Sequence, residues 1–303
     1  MPWSWGEVGA RWDEAVAAGQ EAMGRSAATD PLSQVRLSKW SRLSLFRPNM
    51  PLVITGDRGA GKSVLYRALA GELVAGESLP GRSKGPEKHR VMVHGDSRKV
   101  RTAMTVLPGQ TSRERIGSSN VHFGEGRTTR GVIHVVCWGH NKLWEAKDRE
   151  LIKSQLSDSR DGFNLETLRR RNRRTELKGF RDLRAALTDT WAHREGVWLI
   201  IAVAKCDLYW SSLHEARDYY IPSPSGVPPN EVETAPFAWE LRTLVNDLGS
   251  LNIGNLAVLP VSSRPDTYDF DSSIDRVDTQ LIPNQSDVLI NVFRNVVGEF
   301  CGG

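Results

Sequence analysis

Leu52-Val53-Ile54-Thr55-Gly56-Asp57-Arg58-Gly59-Ala60-Gly61-Lys62-Ser63-Val64 decides how the rest of the chain is read. Residues 52–55 are a short β-branched run of the kind that forms a buried strand. Residues 56–63 fit the pattern GxxxxGK[ST], and helical spacing takes over from 63 to about 74. Strand, glycine-rich loop and helix in that order suit one kind of ligand. The glycines let the backbone curl until its N–H groups, backed by the positive end of a helix dipole, converge on phosphate oxygens. Lys62 is then placed to bridge terminal phosphates and Ser63 to ligate Mg²⁺. A turn that merely caps a helix does not account for strand, lysine and hydroxyl falling in register.

Upstream, Arg47-Pro48-Asn49-Met50-Pro51 breaks the pattern, so the core begins near residue 50. Before it, Val8, Trp12, Val16 and Met23 recur at helical spacing over 7–23, and Val35, Trp40 and Leu43 over 33–46. Downstream, strand character recurs at 90–94, 102–106, 132–137, 198–203 and 256–261. The first two of these are close enough, across 95–99, to form a hairpin. Helical segments are expected at 142–156, 165–193, 236–248 and 287–300. Alternation of this sort predicts an α/β fold of three layers: six strands, mainly parallel, with helices on both faces. The expected organisation is a helical N-terminal extension over 1–49 and a core over 50–303. Two insertions interrupt the core, a basic helical one at 145–194 and a proline-rich one at 209–235 that reads as an extended loop.

Composition narrows the function classes. Forty Lys and Arg against 36 Asp and Glu leave a net charge of +4, too little for a surface built throughout for nucleic acid. No apolar run approaches the roughly 18 residues of a membrane-spanning helix, so no membrane insertion is expected. Cys137, Cys206 and Cys301 are far apart, which suggests neither a disulfide framework nor a zinc site and fits a reducing, cytoplasmic setting. The N-terminus lacks the basic and apolar regions of a secretory signal.

The ends of the later strands bear on which base would accompany the phosphates. Ala204-Lys205-Cys206-Asp207 follows the strand at 198–203 and resembles the NKxD guanine motif of Ras-like GTPases, with alanine in the first slot. Val261-Ser262-Ser263 follows the last strand where that family has its SAK-like loop, and Val106-Leu107-Pro108-Gly109-Gln110 resembles its DxxGQ segment. The order of these segments is similar to that of TRAFAC-class P-loop GTPases over residues 50–300. The resemblance implies GTP or GDP with Mg²⁺ as cofactors. It implies that residues 56–64 hold the phosphates and that Gly109 offers its N–H to the γ-phosphate. Gln110 would orient the attacking water, and Lys62 would act on the transferring group. Lys205 would pack on the base, Asp207 would accept from guanine N1 and the exocyclic amine, and Ser262 and Ser263 would contact guanine O6. Ala204 should loosen the base site by about 0.5–1.5 kcal/mol, one lost hydrogen bond.

Two positions depart from the family. Val106 stands where the Mg²⁺-organising aspartate is expected, and Asp96 is in the turn at the wrong end of the hairpin to replace it. The first switch, residues 71–90, has no threonine, Ser78 and Ser83 being its hydroxyls. Slow or partner-dependent hydrolysis follows, because metal bridging carries much of phosphoryl-transfer catalysis. Arg58, in the phosphate loop, reads as a solvated arginine, with an internal arginine finger as the sharper alternative.

Arg169, Arg170, Arg171, Arg173 and Arg174 crowd into six positions. Such a run is ordinarily a solvated helix face, and with only Phe163 and Phe180 flanking it, stacking on nucleic acid is not favoured. Trp3, Trp5, Trp12 and Trp40 near the N-terminus fit core packing or a docking surface for a protein partner or another subunit. His140 reads as structural. The sequence thus points to a guanine-nucleotide-binding switch or assembly component with slow hydrolysis. The alternatives are an inactive nucleotide-binding scaffold, or an ATP-binding kinase or ATPase if Asp207 is coincidental.

Overall fold

The computed structural model describes residues 3–24, 51–73, 86–95, 98–109, 129–143, 145–158, 160–227, 230–249 and 253–302. The helix expected over 33–46, Ser78, Ser83, Asp96 and Gln110 lie outside them. Six strands form one sheet: β1 (Leu52–Gly56), β2 (Glu87–Gly95), β3 (Arg98–Val106), β4 (Gly131–Val136), β5 (Val197–Ala204) and β6 (Ile253–Val261). Their order is β2-β3-β1-β4-β5-β6, with β3, β1, β4, β5 and β6 parallel and β2 antiparallel at the edge. Every residue of β4 and β5 is buried, as expected of central parallel strands covered on both faces. The β2–β3 hairpin is longer than its apolar residues suggest, because main-chain pairing at an edge continues through Arg98, Lys99 and Arg101 whatever the side chains are.

The pleat shows what covers each face. Gly131 and Trp198 are paired neighbours and so share a face; a Cβ at Gly131 would strike the Trp198 ring, which packs edge-on against Phe300 at 5.8 Å. His134, of opposite parity, meets Phe180 at 5.4 Å and Phe237 at 6.4 Å. Phe300 belongs to α8 (Pro283–Gly302), which packs with α1 (Trp5–Met23) and α2 (Lys62–Ala70). Phe180 and Phe237 belong to α4 (Leu165–Trp191) and α7 (Pro236–Leu248). Between α2 and α4 lies α3 (Ala146–Ser157), and before α7 lie α5 (Leu213–Tyr220) and α6 (Glu231–Thr234).

Helix α1 begins with a reciprocal capping box between Ser4 and Glu7. It lies on β6 and α8: the Trp3 indole donates to Ile253 O at 3.0 Å and Gln285 Nε2 donates to Gly19 O at 3.0 Å. Trp3 and Trp12 are therefore core residues; Trp40 is outside the described residues.

Helix α2 stops before the expected 74 because Gly71 takes a left-handed φ of +72° and returns its N–H to Ala68 O at 3.1 Å. The stretch 209–235, read as an extended loop, is corrected in part: it carries a 3-10 turn (Trp210–Ser212), α5 and α6. Leu213, Ala216 and Tyr220 supply a buried helical stripe that the prolines after Ile221 had obscured. Among the described residues no helix is long and apolar enough to cross a membrane.

Candidate functional site

Parallel strands end side by side, so the loops after them share one edge of the sheet. Gly56, Val135, Ala202 and Leu259 are register partners across β1, β4, β5 and β6, and Ile54 faces Val106 on β3. The segments singled out in the sequence leave from these ends.

The loop after β1 holds Gly56, Gly59 and Gly61 at φ values of +136°, +74° and +106°. A side chain at Gly56 would collide with Val135 O, and one at Gly59 would lie 2.6 Å from Lys142 N. Gly61 precedes α2 without a side-chain cap, so the first-turn N–H groups of Lys62, Ser63 and Val64 are aimed out of the helix end. Lys62 Nζ reaches back over the loop to Gly56 O at 3.0 Å and Asp57 O at 2.8 Å. Ala60 is buried beneath, with its N–H on Asp57 O at 3.3 Å.

Gly109 presses the loop after β3 onto this one: a Cβ there would come 2.6 Å from Arg58 Cα and 2.8 Å from Asp57 C. Just before it, Val106 is wholly buried and apolar. Arg58 is partly exposed, and the reading of it as a simply solvated arginine is corrected. Its guanidinium donates to Asp148 Oδ2 and Glu145 Oε1, both at 2.7 Å, at the amino end of α3.

The loop after β5 begins with Lys205, whose φ of +58° is left-handed. Its ammonium donates to Gly59 O at 2.8 Å and His140 O at 2.6 Å. Burial lowers its proton affinity. Lys205 thus ties the loop after β5 to the glycine loop. Asp207 is buried; Oδ1 accepts from Ser262 Oγ at 2.9 Å and Oδ2 from Asp266 N at 3.3 Å. Burial raises its pKa, and these hydrogen bonds oppose the rise. Ser286 Oγ supports Ser262 Oγ at 3.0 Å, while Ser263 is half-buried at the next position.

The sequence reading missed the loop after β4. Lys142 N donates to Gly59 O at 3.1 Å and Asn141 Nδ2 donates to Arg58 O at 3.2 Å, so residues 140–142 brace the glycine loop from outside. Helix α4 holds that loop. Buried Glu176 accepts from Cys137 N at 2.9 Å, Gly139 N at 3.3 Å and Tyr220 OH at 2.8 Å, and Asn172 Nδ2 donates to Gly139 O at 2.8 Å. Arg169 lies over the Trp138 ring at 4.1 Å, and Arg173 at 5.8 Å. Two members of the arginine cluster thus face inward, with Arg170 and Arg174 exposed on the other side. His140 is buried and stacked on Tyr209 at 5.1 Å, and burial together with the Arg169 and Lys205 charges keeps it neutral. The sequence signal was Gly139-His140-Asn141-Lys142, polar groups straight after a glycine at a strand's carboxyl end.

The described residues therefore bring together residues 56–64, Gly109, Lys205, Asp207 and Ser262. They offer an anion cradle backed by a helix end and, across a lysine strut, a buried carboxylate able to accept N–H donors. Val106, buried and apolar at the end of β3, cannot ligate Mg²⁺, which leaves Ser63 at the start of α2 as the hydroxyl that would hold it; among the described residues no group of three or more Asp, Glu, His or Cys side chains could hold a metal. The sequence matches no family model and no curated protein.

Proposed function

We propose that this chain is a guanine-nucleotide-binding protein of the Ras-like P-loop class, acting as a switch or assembly component. The single observation that carries the reading is the coupling of the glycine loop to Asp207 through Lys205, 2.8 Å from Gly59 O. Phosphate cradle and base acceptor are thereby parts of one site. The sheet order, with its antiparallel edge strand next to β3, supports the P-loop fold assignment.

Residues 56–64 hold the phosphates through main-chain N–H groups and Lys62. Asp207, kept in place by Ser262, accepts from a base that presents a ring N1–H beside a 2-amino group, which guanine does and adenine does not. Bound nucleotide supplies the charge that the uncapped amino end of α2 attracts.

Val106 supports slow or partner-dependent hydrolysis and favours, as a second reading, a scaffold that binds nucleotide without turning it over. A buried apolar side chain at the end of β3 cannot organise a metal, and no step through Mg²⁺ is assigned to these residues. Labelled GTP, GDP and ATP, each with and without Mg²⁺, against wild type and Asp207→Ala, test both readings when phosphate release is followed in the same samples. Guanine-selective binding lost in Asp207→Ala supports the proposal. Phosphate release then separates a GTPase from a nucleotide-gated scaffold, and selective ATP binding overturns the assignment.

A further inference from the structure

The connection between β6 and α8, residues 262–282, carries no helix or sheet strand. It exceeds the roughly 12–15 residues beyond which such a connection in a compact domain is ordinarily functional or a linker. A linker would be loose, and this one is tied across the candidate site.

Its two ends are held differently. At the far end, Gln280 N donates to Asp207 O at 2.7 Å, Gln280 Nε2 to Leu208 O at 3.3 Å, and Ser211 N returns a bond to Gln280 Oε1 at 2.8 Å. The middle closes on itself through reciprocal main-chain bonds between Tyr268 and Val277 at 2.8 and 2.9 Å. At the near end Ser262 holds Asp207 Oδ1 at 2.9 Å, but past it the ties are long: Asp266 N to Asp207 Oδ2 at 3.3 Å, Tyr268 OH to Asn141 O at 3.3 Å, and an Asp266–Lys142 ion pair at 3.8 Å. The Asp266 side chain is half exposed, so that pair is screened and weak.

The near end also covers the group the nucleotide needs. Asp207 is 2 % exposed, and one of its oxygens is taken by a main-chain N–H from this connection. A base can reach that oxygen only when the near end moves, and the weaker ties are the ones that would have to break.

We propose that residues 263–268 form a lid over Asp207, and that a guanine nucleotide binds by exchanging the Asp266 N–H on the carboxylate for an N–H of its base. The inference rests on the nucleotide reading above. It also adds a source of selectivity. A base without a donor at that edge offers Asp207 nothing in return for the lost bond, and a buried acceptor left unpaired is costly. Such a ligand leaves the lid shut.

Hydrogen exchange with and without GDP, combined with stopped-flow association of N-methylanthraniloyl-GDP, tests this on the full chain. GDP is expected to slow exchange over residues 56–63 and to speed it over 263–268. Tyr268→Phe keeps the ring against His140, 5.5 Å away, and removes only the hydroxyl tie, so association should be faster by about two- to tenfold, one hydrogen bond's worth. GDP protecting 56–63 while 263–268 is unchanged or slowed, with Tyr268→Phe associating at the wild-type rate, overturns the lid and leaves the nucleotide site standing. Wild type that binds no guanine nucleotide overturns the site, and the lid with it.

Discussion

Lys205 joins three loops with one ammonium: it leaves β5 in a left-handed conformation and donates to Gly59 O, after β1, at 2.8 Å and to His140 O, after β4, at 2.6 Å. Left-handed backbone at a non-glycine residue costs about 1–3 kcal/mol and persists where the surroundings over-determine it. Here two carbonyls do so. Both are oxygens of loops that approach the glycine cradle, so the lysine fixes the spacing of the cradle as well as its own position.

Lys205→Met tests the strut, since it keeps the stem and loses both donors. A hydrogen bond to a charged group is worth about 1.5–3 kcal/mol, so GDP affinity should fall by at least roughly tenfold. Titration calorimetry reads this directly. An unchanged dissociation constant in a folded variant would mean that the cradle holds its shape without the strut.

What the sequence disclosed and what it hid divide along physical lines. The central strands and the helices flanking them were legible because burial on both faces forces continuous apolar runs, as in Val197–Ala204. The glycine loop was legible because its left-handed positions admit little else. Residues that serve through their main chain were hidden. Lys142 N, His140 O and Asp266 N carry no side-chain signature, so the brace after β4 and the covering of Asp207 appear only in three dimensions. Arg58 was misread because its partners, Glu145 and Asp148, are far away in sequence. Glu176 looked like one more charge in a charged helix, yet it is buried and holds the end of β4.

Gly109→Ala should be severe for so small a change. The added methyl would lie 2.6 Å from Arg58 Cα, backbone that cannot step aside without moving the glycine loop. Overpacking of this kind costs about 1–3 kcal/mol, and nucleotide affinity should fall together with the unfolding midpoint. Chemical denaturation and GDP titration on the same preparation check the pairing. Loss of stability with full affinity would show that the loop after β3 moves rather than the cradle.

Arg58→Ala should leave any phosphate release unchanged. An arginine that stabilised the transferring group would cost on the order of 10³–10⁵ in rate when removed. In this structure its guanidinium is engaged by Glu145 and Asp148. These are partly exposed pairs, so the stability loss should stay under about 1 kcal/mol. Single-turnover release separates the two outcomes by orders of magnitude, and a large drop would require the guanidinium to leave both carboxylates when nucleotide binds.

His140 should make the protein acid-sensitive. The ring is buried between Tyr209 and Tyr268 with Nδ1 3.3 Å from Cys137 O, and burial first, then the charges of Arg169 and Lys205, hold its pKa well below the usual value. In the unfolded chain the same imidazole takes a proton near pH 6.5. Below that pH the unfolded state binds a proton that the folded state refuses, so this contribution to stability is present above about 6.5 and is lost as the pH falls. The slope approaches about 1.4 kcal/mol per pH unit until the folded pKa is reached. Burial raises the Glu176 and Asp207 carboxyls, which act in the opposite direction as the pH falls, so the comparison that isolates the imidazole is with His140→Phe, which keeps an aromatic ring on Tyr209. Urea midpoints from pH 7.5 down to 5.5 should fall more steeply for wild type than for the variant. Parallel curves would mean that the loop after β4 opens to hydrate the imidazolium, releasing Lys205 from one of its two carbonyls at low pH.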